Sequence, residues 1–231
     1  MKLDRPNARH DLPRLPGLPE LPRRRLLASA LSLPLGLALA GCELPVPGQG
    51  PPPVLYRLTP KSTFNENLPN VAWQLVLEVP VANAGLSTTR VALQRSPTRL
   101  EYYARSSWTD RAPVMVQTLM IESFENSKQI VAVGRESVGL RADFILKSEL
   151  REFQAEYYRG TLPSVHVGIN AKLVQMPRRA IIGSQSFEAI AEAKADNMNE
   201  IISAYDEALG SVLKDLVEWT LATGQNAFGK S

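Results

Sequence analysis

NMNEIISAYDEALGSVLKDLVEWTLATG, residues 197–224, is the most regularly patterned stretch of this 231-residue chain. Apolar side chains recur in it at every third or fourth position: Met198, Ile201, Tyr205, Leu209, Val212, Leu216 and Trp219. This spacing places them along one side of a helix and leaves the other side to charged residues. The stretch therefore predicts an amphipathic helix over residues 197–223, with its apolar side on a sheet.

Three residues of this stretch predict how the helix begins, packs and ends. Asn197 followed by Glu200 is typical of a capping box at a helix start. Gly210 lies inside the helix, where glycine costs about 1 kcal/mol relative to alanine, so we expect close packing against it. Gly224 is suited to a C-terminal stop, because glycine readily adopts the left-handed conformation that ends many helices.

The sheet under this helix is predicted from the segments that precede it. Two of them, residues 144–150 and 165–173, alternate apolar and polar residues as half-buried strands do, and a third strand is expected over residues 180–190. Residues 160–163 and Met176-Pro177 supply the turns between them. We therefore expect three adjacent antiparallel strands.

The first half of the domain predicts shorter strands and one more helix. Strands are expected at residues 54–58, 72–79, 90–94, 99–103 and 130–133. Ser96-Pro97 indicates a hairpin, and Asp110 is expected to cap a helix over residues 111–127. The predicted fold class is α/β: a single domain in which a mixed, largely antiparallel sheet is covered by two main helices.

The N-terminal region has a basic n-region, an apolar h-region and a cleavage site, in the order of a bacterial secretory signal. Three arginines, Arg23 to Arg25, precede an apolar run of residues 26–40, and the run ends in Leu39-Ala40-Gly41-Cys42. The run is too short for a membrane span, which needs roughly twenty residues. Leu-Ala-Gly-Cys resembles the lipobox of bacterial lipoproteins, in which the cysteine is acylated, by palmitate for example, and becomes the first residue of the mature protein. Cys42 is the predicted lipidation site.

These features divide the chain into four predicted parts. Residues 1–41 are a signal peptide with a long n-region, and 42–53 are a lipidated, proline-rich tether. Residues 54–225 are the folded domain, and 226–231 are a disordered tail. Glu43 follows the cysteine where an aspartate would favour inner-membrane retention, so the predicted location is the periplasmic face of the outer membrane. The sequence leaves open whether export uses the Sec or the twin-arginine route.

Composition argues against several classes of function. The formal net charge is +3, and the basic leader more than accounts for it, so no nucleic-acid partner is expected. After the leader the chain has one histidine and no cysteine beyond Cys42, and it lacks a Gly-x-Ser-x-Gly motif and a phosphate-binding loop. We therefore expect no catalytic residues, no metal and no cofactor.

His166 is the histidine of the predicted domain. It lies between Val165 and Val167, so its side chain should point away from their face, toward solvent or a second layer. We interpret it as structural. Glu152 and Glu156 are interpreted as part of a solvated face, because nothing in their spacing marks an acid/base pair.

Residues 95–110 are the predicted docking segment. Tyr102, Tyr103 and Trp108 alternate there with arginines, and aromatic residues with arginine are what interface centres favour. Arg105 and Trp108 are the predicted partner-binding residues. Packing is the competing interpretation, above all for Tyr102 and Tyr103, because a strand turns alternate side chains into the core.

Taken in order, these elements resemble the ABC-type transport auxiliary lipoproteins, a family that includes the paraquat-inducible protein C lipoproteins. The matching pieces are Tyr56-Arg57-Leu58, Arg95-Ser96-Pro97 with Tyr102-Tyr103 and Trp108, Asp143-Phe144-Ile145-Leu146 running to Leu150 and Phe153, and the final helix ending near Trp219. The resemblance implies an auxiliary component of an MCE-type (mammalian-cell-entry) lipid transport system, which docks the periplasmic MCE protein and has no catalytic residues.

Two other functions stay open on the sequence alone. One is an envelope-assembly lipoprotein of the lipopolysaccharide or secretion type, and the other is a lipid-anchored periplasmic hydrolase, which the scarcity of histidine and cysteine disfavours. Homo-oligomerisation is also open. The sequence does not identify the lipid, its direction of transport, or whether the domain itself binds lipid.

The predicted anchor can be tested by replacing its cysteine. Cys42→Ser should leave the domain folded, because the proline-rich tether separates the anchor from the core, and should release the protein from the membrane fraction. Membrane fractionation with immunodetection measures this release. Retention of the variant in the outer membrane would show that another segment anchors the chain.

Overall fold

The computed structural model describes residues 51–139 and 141–229, and within these it contains nine strands and two long helices. The strands are β1 (Val54–Tyr56), β2 (Val71–Leu77), β3 (Val81–Ala82), β4 (Arg90–Ser96), β5 (Arg99–Trp108), β6 (Ile130–Arg135), β7 (Phe144–Glu156), β8 (Ser164–Gln175) and β9 (Ala180–Glu192). The helices are α1 (Ala112–Ser127) and α2 (Met198–Ala227). The predicted fold class, a mixed sheet covered by two helices, is confirmed.

Strand β7 is the centre of the sheet. One of its edges pairs antiparallel with β8 along the whole strand, and β8 pairs antiparallel with β9. Its other edge pairs in parallel with β2, then β3, then β4. Beyond these, β6 lies parallel to β2, β5 forms a hairpin with β4, and β1 lies parallel to β5. The predicted three-strand meander and the hairpin are therefore both present.

Strand β7 changes phase at a bulge. Leu150 pairs with Ile169 and Glu152 pairs with Gly168, so β7 carries one extra residue at this point. Strict alternation from Leu150 would place residue 152 on the buried face. Because of the extra residue, Phe153 lies on that face instead. The large apolar side chains of β7 thereby stay on one face of the sheet on both sides of the bulge.

Helix α2 covers this inner face. Asn197 caps its start, where the side-chain oxygen accepts a hydrogen bond from the Glu200 backbone N–H at 3.1 Å. The predicted stripe is buried from Ile201 to Leu216, and Trp219 is half-buried against Phe187, with ring centroids 5.6 Å apart. The prediction that this face packs on the sheet is correct.

The two predicted glycine roles in α2 are wrong. A β carbon at Gly224 would lie 2.5 Å from Cζ2 of Trp73, so this glycine allows β2 and α2 to approach closely. The helix continues past it and is capped at Phe228, so residues 225–227 are helical and the predicted tail starts too early. Gly210 has no atom within 4 Å of where its β carbon would lie, so it faces open space.

Helix α1 starts one residue later than predicted and by a different mechanism. Its N-cap is Arg111, which makes no side-chain capping bond, and Pro113 stands in the first turn. The carboxylate of Asp110 accepts a hydrogen bond from the adjacent Arg111 N–H at 2.6 Å instead of capping the helix. Lys128, with φ of 55°, ends α1 in the left-handed conformation. Its apolar stripe lies in the core as predicted: Val116, Leu119, Met120 and Phe124.

A pair of alanine substitutions tests the packing of α2. Gly224→Ala should lower the free energy of unfolding by about 1–3 kcal/mol, because the new β carbon has to displace the Trp73 indole. Gly210→Ala is the matched control and should raise it by about 0.5–1 kcal/mol, because the helix gains propensity at an open position. Urea denaturation followed by circular dichroism measures both. Changes of the same sign would contradict this packing.

Candidate docking surface

The predicted docking segment contains an irregular bulge in β5. Ala92 pairs with Tyr102 and Arg90 pairs with Ser107, so the single residue Val91 stands opposite residues 103–106. Near the middle of this bulge Arg105 has a φ of 56°, in the left-handed region. A residue other than glycine in that region costs on the order of 1–3 kcal/mol and persists only where its surroundings hold it.

Hydrogen bonds hold both ends of the bulge. The Tyr103 hydroxyl donates to the Tyr157 hydroxyl at 3.1 Å, and Tyr157 donates to the Asp196 carboxylate at 2.8 Å. Burial, the bond to Tyr157 and the negative charge of Asp196 raise the pKa of Tyr103 well above its ordinary value, so it stays a protonated donor. Beyond the bulge, the Trp108 N–H donates to the Thr89 carbonyl at 2.6 Å.

Trp108 does not lie on the surface, so its prediction as a docking residue is wrong. Its side chain is 1% exposed and packs between two core rings, with centroids 5.0 Å from Tyr205 and 5.5 Å from Phe153. The extra residues of the bulge decide which face Trp108 occupies, and strand alternation does not reveal them. Trp108 belongs to the contact between the sheet and α2.

The two tyrosines also serve the fold. Tyr102 is partly buried, its hydroxyl donates to the Gly85 carbonyl at 3.1 Å, and the Arg90 guanidinium stacks 3.6 Å above its ring. Tyr103 is partly buried and supports the bulge as described. The packing interpretation is therefore correct for both, and Arg105 is left as the exposed member of the predicted set.

Arg105 immediately precedes the residues of β5 that pair with β1, where two aliphatic residues are exposed. Strand β1 pairs with β5 just after the bulge, Val54 with Ser106 and Leu55 with Ser107. Val54 is 56% exposed and Leu55 is 61% exposed. We call Val54, Leu55, Ala104 and Arg105 the bulge surface. It combines an arginine that makes no ion pair within residues 51–139 and 141–229 with apolar side chains that a partner could cover.

The predicted anchor adjoins this surface in the chain. Val54 follows directly on the predicted tether of residues 42–53, of which residues 51–53 are described and exposed. Cys42 and the signal peptide of residues 1–41 lie outside the described residues. Neither α1 nor α2 has the length and apolarity needed to cross a bilayer.

A groove lies at the other end of the sheet. It has a volume of about 390 Å³, with apolar walls from Val76, Ile145, Met176 and Pro177 and charged groups at its rim. The turn between β8 and β9 borders the neighbouring part of the same face, and Arg179 in that turn has a φ of 55°. Arg179 therefore matches Arg105 in residue type and backbone conformation, but it lies in the turn between β8 and β9.

His166 lies on the face of β8 that points away from α2, as its flanking valines predict. Its polar contacts are with Glu156 on β7 and Glu188 on β9. Glu156 is 1% exposed, so its interpretation as part of a solvated face is wrong. Its burial in a hydrogen-bonded network is a feature that carboxylate spacing did not indicate.

Comparison with known proteins identifies the family. The sequence model of the ABC-type transport auxiliary lipoprotein component family matches residues 56–217, which include the bulge surface residues Ala104 and Arg105 and most of both helices. The chain belongs to this family. The resemblance found in the sequence is thereby confirmed, and membership of a lipoprotein family implies a membrane-anchored envelope location.

Two relatives of this auxiliary lipoprotein are informative. An uncharacterized protein of Bradyrhizobium diazoefficiens is 26% identical over 184 residues, which cover 79% of this chain and 49% of that protein. The chain thus spans about half the length of this relative. The crystal structure of a protein from Xanthomonas campestris is 29% identical, superposes with a TM-score of 0.72, and matches over 75% of this chain and 97% of the other. The auxiliary-lipoprotein fold therefore extends over nearly all of the solved relative.

Proposed function

We propose that this protein is an outer-membrane-anchored periplasmic lipoprotein that serves an MCE-type intermembrane lipid transport system and docks its periplasmic MCE-domain protein. Membership of the auxiliary lipoprotein family carries the proposal. The family is a transport component and not a known enzyme family, which favours this role over a lipid-anchored hydrolase. It also favours transport over the assembly of lipopolysaccharide or of a secretion system.

The anchor in this proposal is acylated Cys42. Several acyl chains on one cysteine give lasting attachment, whereas a single chain gives only marginal binding. The predicted tether of residues 42–53 is rich in proline, and a proline-rich segment of this length would reach roughly 35 Å at about 3.1 Å per residue. The domain is then held close to the membrane, with β1 as the first strand after the tether.

The docking site in this proposal is the bulge surface. Arg105 is held in a costly conformation, is exposed and has no ion-pair partner among the described residues. Conformations of this cost are concentrated at functional sites, and arginine is enriched among the residues that dominate binding energy. Val54 and Leu55, which pair with the two residues that follow Arg105, supply apolar area that a partner would bury.

Removing the Arg105 side chain tests the docking site. Arg105→Gly should weaken binding to the co-encoded MCE-domain protein by about thirtyfold, the effect of losing a residue worth about 2 kcal/mol. Glycine also accepts the left-handed conformation, so the variant should melt no lower than the wild type. Biolayer interferometry with purified proteins measures the affinity.

Arg179→Gly is the matched control. It removes the same side chain from the same backbone conformation in the turn between β8 and β9, and it should leave the affinity unchanged. Equal binding by the wild type and both variants would exclude the bulge surface as the docking site. A loss confined to Arg179→Gly would place docking at the opposite end of the sheet.

A further inference from the structure

The outer face of the β7–β8–β9 meander carries a cluster of glutamates around His166. By strand register, Glu152 on β7 and Glu188 on β9 both stand opposite Gly168 on β8. His166 lies two residues earlier on the same face of β8. Because Gly168 has no side chain, three potential metal ligands from three strands surround an open position on the sheet.

The Glu152 side chain occupies the space above Gly168. A β carbon there would lie 3.0 Å from Cγ and 3.1 Å from Cβ of Glu152, so the Glu152 side chain leans over β8. Ligand atoms of Glu152, Glu156 and His166 all lie within 4.8 Å of one another. From the other side, a carboxylate oxygen of Glu188 is 3.8 Å from Nε2 of His166.

The hydrogen bonds of the imidazole leave Nε2 free to bind a ligand. Nδ1 is 3.1 Å from a carboxylate oxygen of Glu156, which favours the tautomer with its proton on Nδ1. Nε2 is buried and has no hydrogen-bond partner among the described residues. A buried acceptor without a partner is costly, and in metal sites the second ring nitrogen is oriented by a carboxylate in this way.

The charge around Nε2 is negative. Glu156 is buried, accepts hydrogen bonds from Arg159 and Gln154, and has a carboxylate oxygen 3.1 Å from His166 Nδ1. The Gln154 amide donates to Glu152 and to Glu156 and so holds both carboxylates in place. Arg159 pairs with Glu156, which leaves Glu152 and Glu188 without an ion-pair partner other than His166 within the described part of the chain.

We propose that His166, Glu152 and Glu188 form a zinc site, with His166 Nε2 and one oxygen from each carboxylate as ligands. Glu156 orients the imidazole through Nδ1 and is not itself a ligand. One imidazole with two carboxylates suits zinc, whereas calcium and magnesium prefer oxygen ligands alone. The bound cation would neutralise the two carboxylates and give the buried Nε2 a partner. This site is independent of the docking role.

Zinc titration of the intact lipoprotein tests the proposal. The membrane-extracted protein is stripped with EDTA in detergent, and zinc is titrated in competition with a chromophoric chelator. We expect one zinc per chain and a melting temperature that rises with zinc and not with calcium. His166→Gln should abolish the zinc-dependent rise, and Glu188→Gln should weaken zinc binding by at least about tenfold.

Two further variants keep the test independent of folding defects. Gly168→Ala keeps every ligand but places a methyl group against Glu152, so it should weaken zinc binding while the apo-protein remains folded. Glu149→Gln changes a carboxylate elsewhere on β7, which pairs with Arg151, and should bind zinc like the wild type. Equal zinc binding by the wild type and His166→Gln, or no saturable binding by the wild type, would overturn the site.

Discussion

The Trp73 indole lies directly against the backbone of α2 at Gly224, and the rest of the structure depends on this contact. A β carbon at that position would overlap the ring, at 2.5 Å from Cζ2, so only glycine allows the helix to lie so close to β2. Trp73 also packs edge-on against Phe144 at 5.0 Å, the first residue of β7. One ring therefore joins β2, the central strand and the long helix.

A second contact of the same kind fixes the opposite side of α2. There Trp219 of the helix packs against Gly183 of β9. A β carbon at Gly183 would lie 2.9 Å from Cζ2 of Trp219. Toward the start of the helix, Tyr205 packs against Trp108 and Phe153 and donates a hydrogen bond to the Ala92 carbonyl at 2.8 Å. The inner face of the sheet is thus occupied by packing, and the bulge surface and the outer face remain for partners and ligands.

The regular parts of this fold could be predicted from the sequence because they follow periodic burial. The apolar spacing in residues 197–223, the alternation in β7 and β8 and the turn signals between the strands identified the helix and the meander. Partner-dependent features could not be predicted. Gly224 has the signature of a helix stop and Gly210 that of a packing position, but in the folded domain Trp73 packs on Gly224 and no described residue packs on Gly210.

The residues of the two candidate sites could also be predicted only in part from the sequence. Composition predicts both Arg105 and Trp108 as docking residues, but the bulge of residues 103–106 turns Trp108 into the core, and no residue in that stretch signals extra residues in the strand. Glu152, Glu188 and His166 come together through the pairing of three strands around Gly168. Their separation along the chain hides this arrangement, because register across a sheet is set by the folded strands and not by local spacing.

The most direct test of the proposed role is photocrosslinking in living cells. A photoreactive amino acid placed at position 105 should capture the MCE-domain protein, because the bulge surface is its proposed docking site, and the same amino acid at position 179 should not. Mass spectrometry of the crosslinked product identifies the partner. Capture of the MCE-domain protein from position 179 alone, or of lipopolysaccharide-assembly proteins from position 105, would contradict this account.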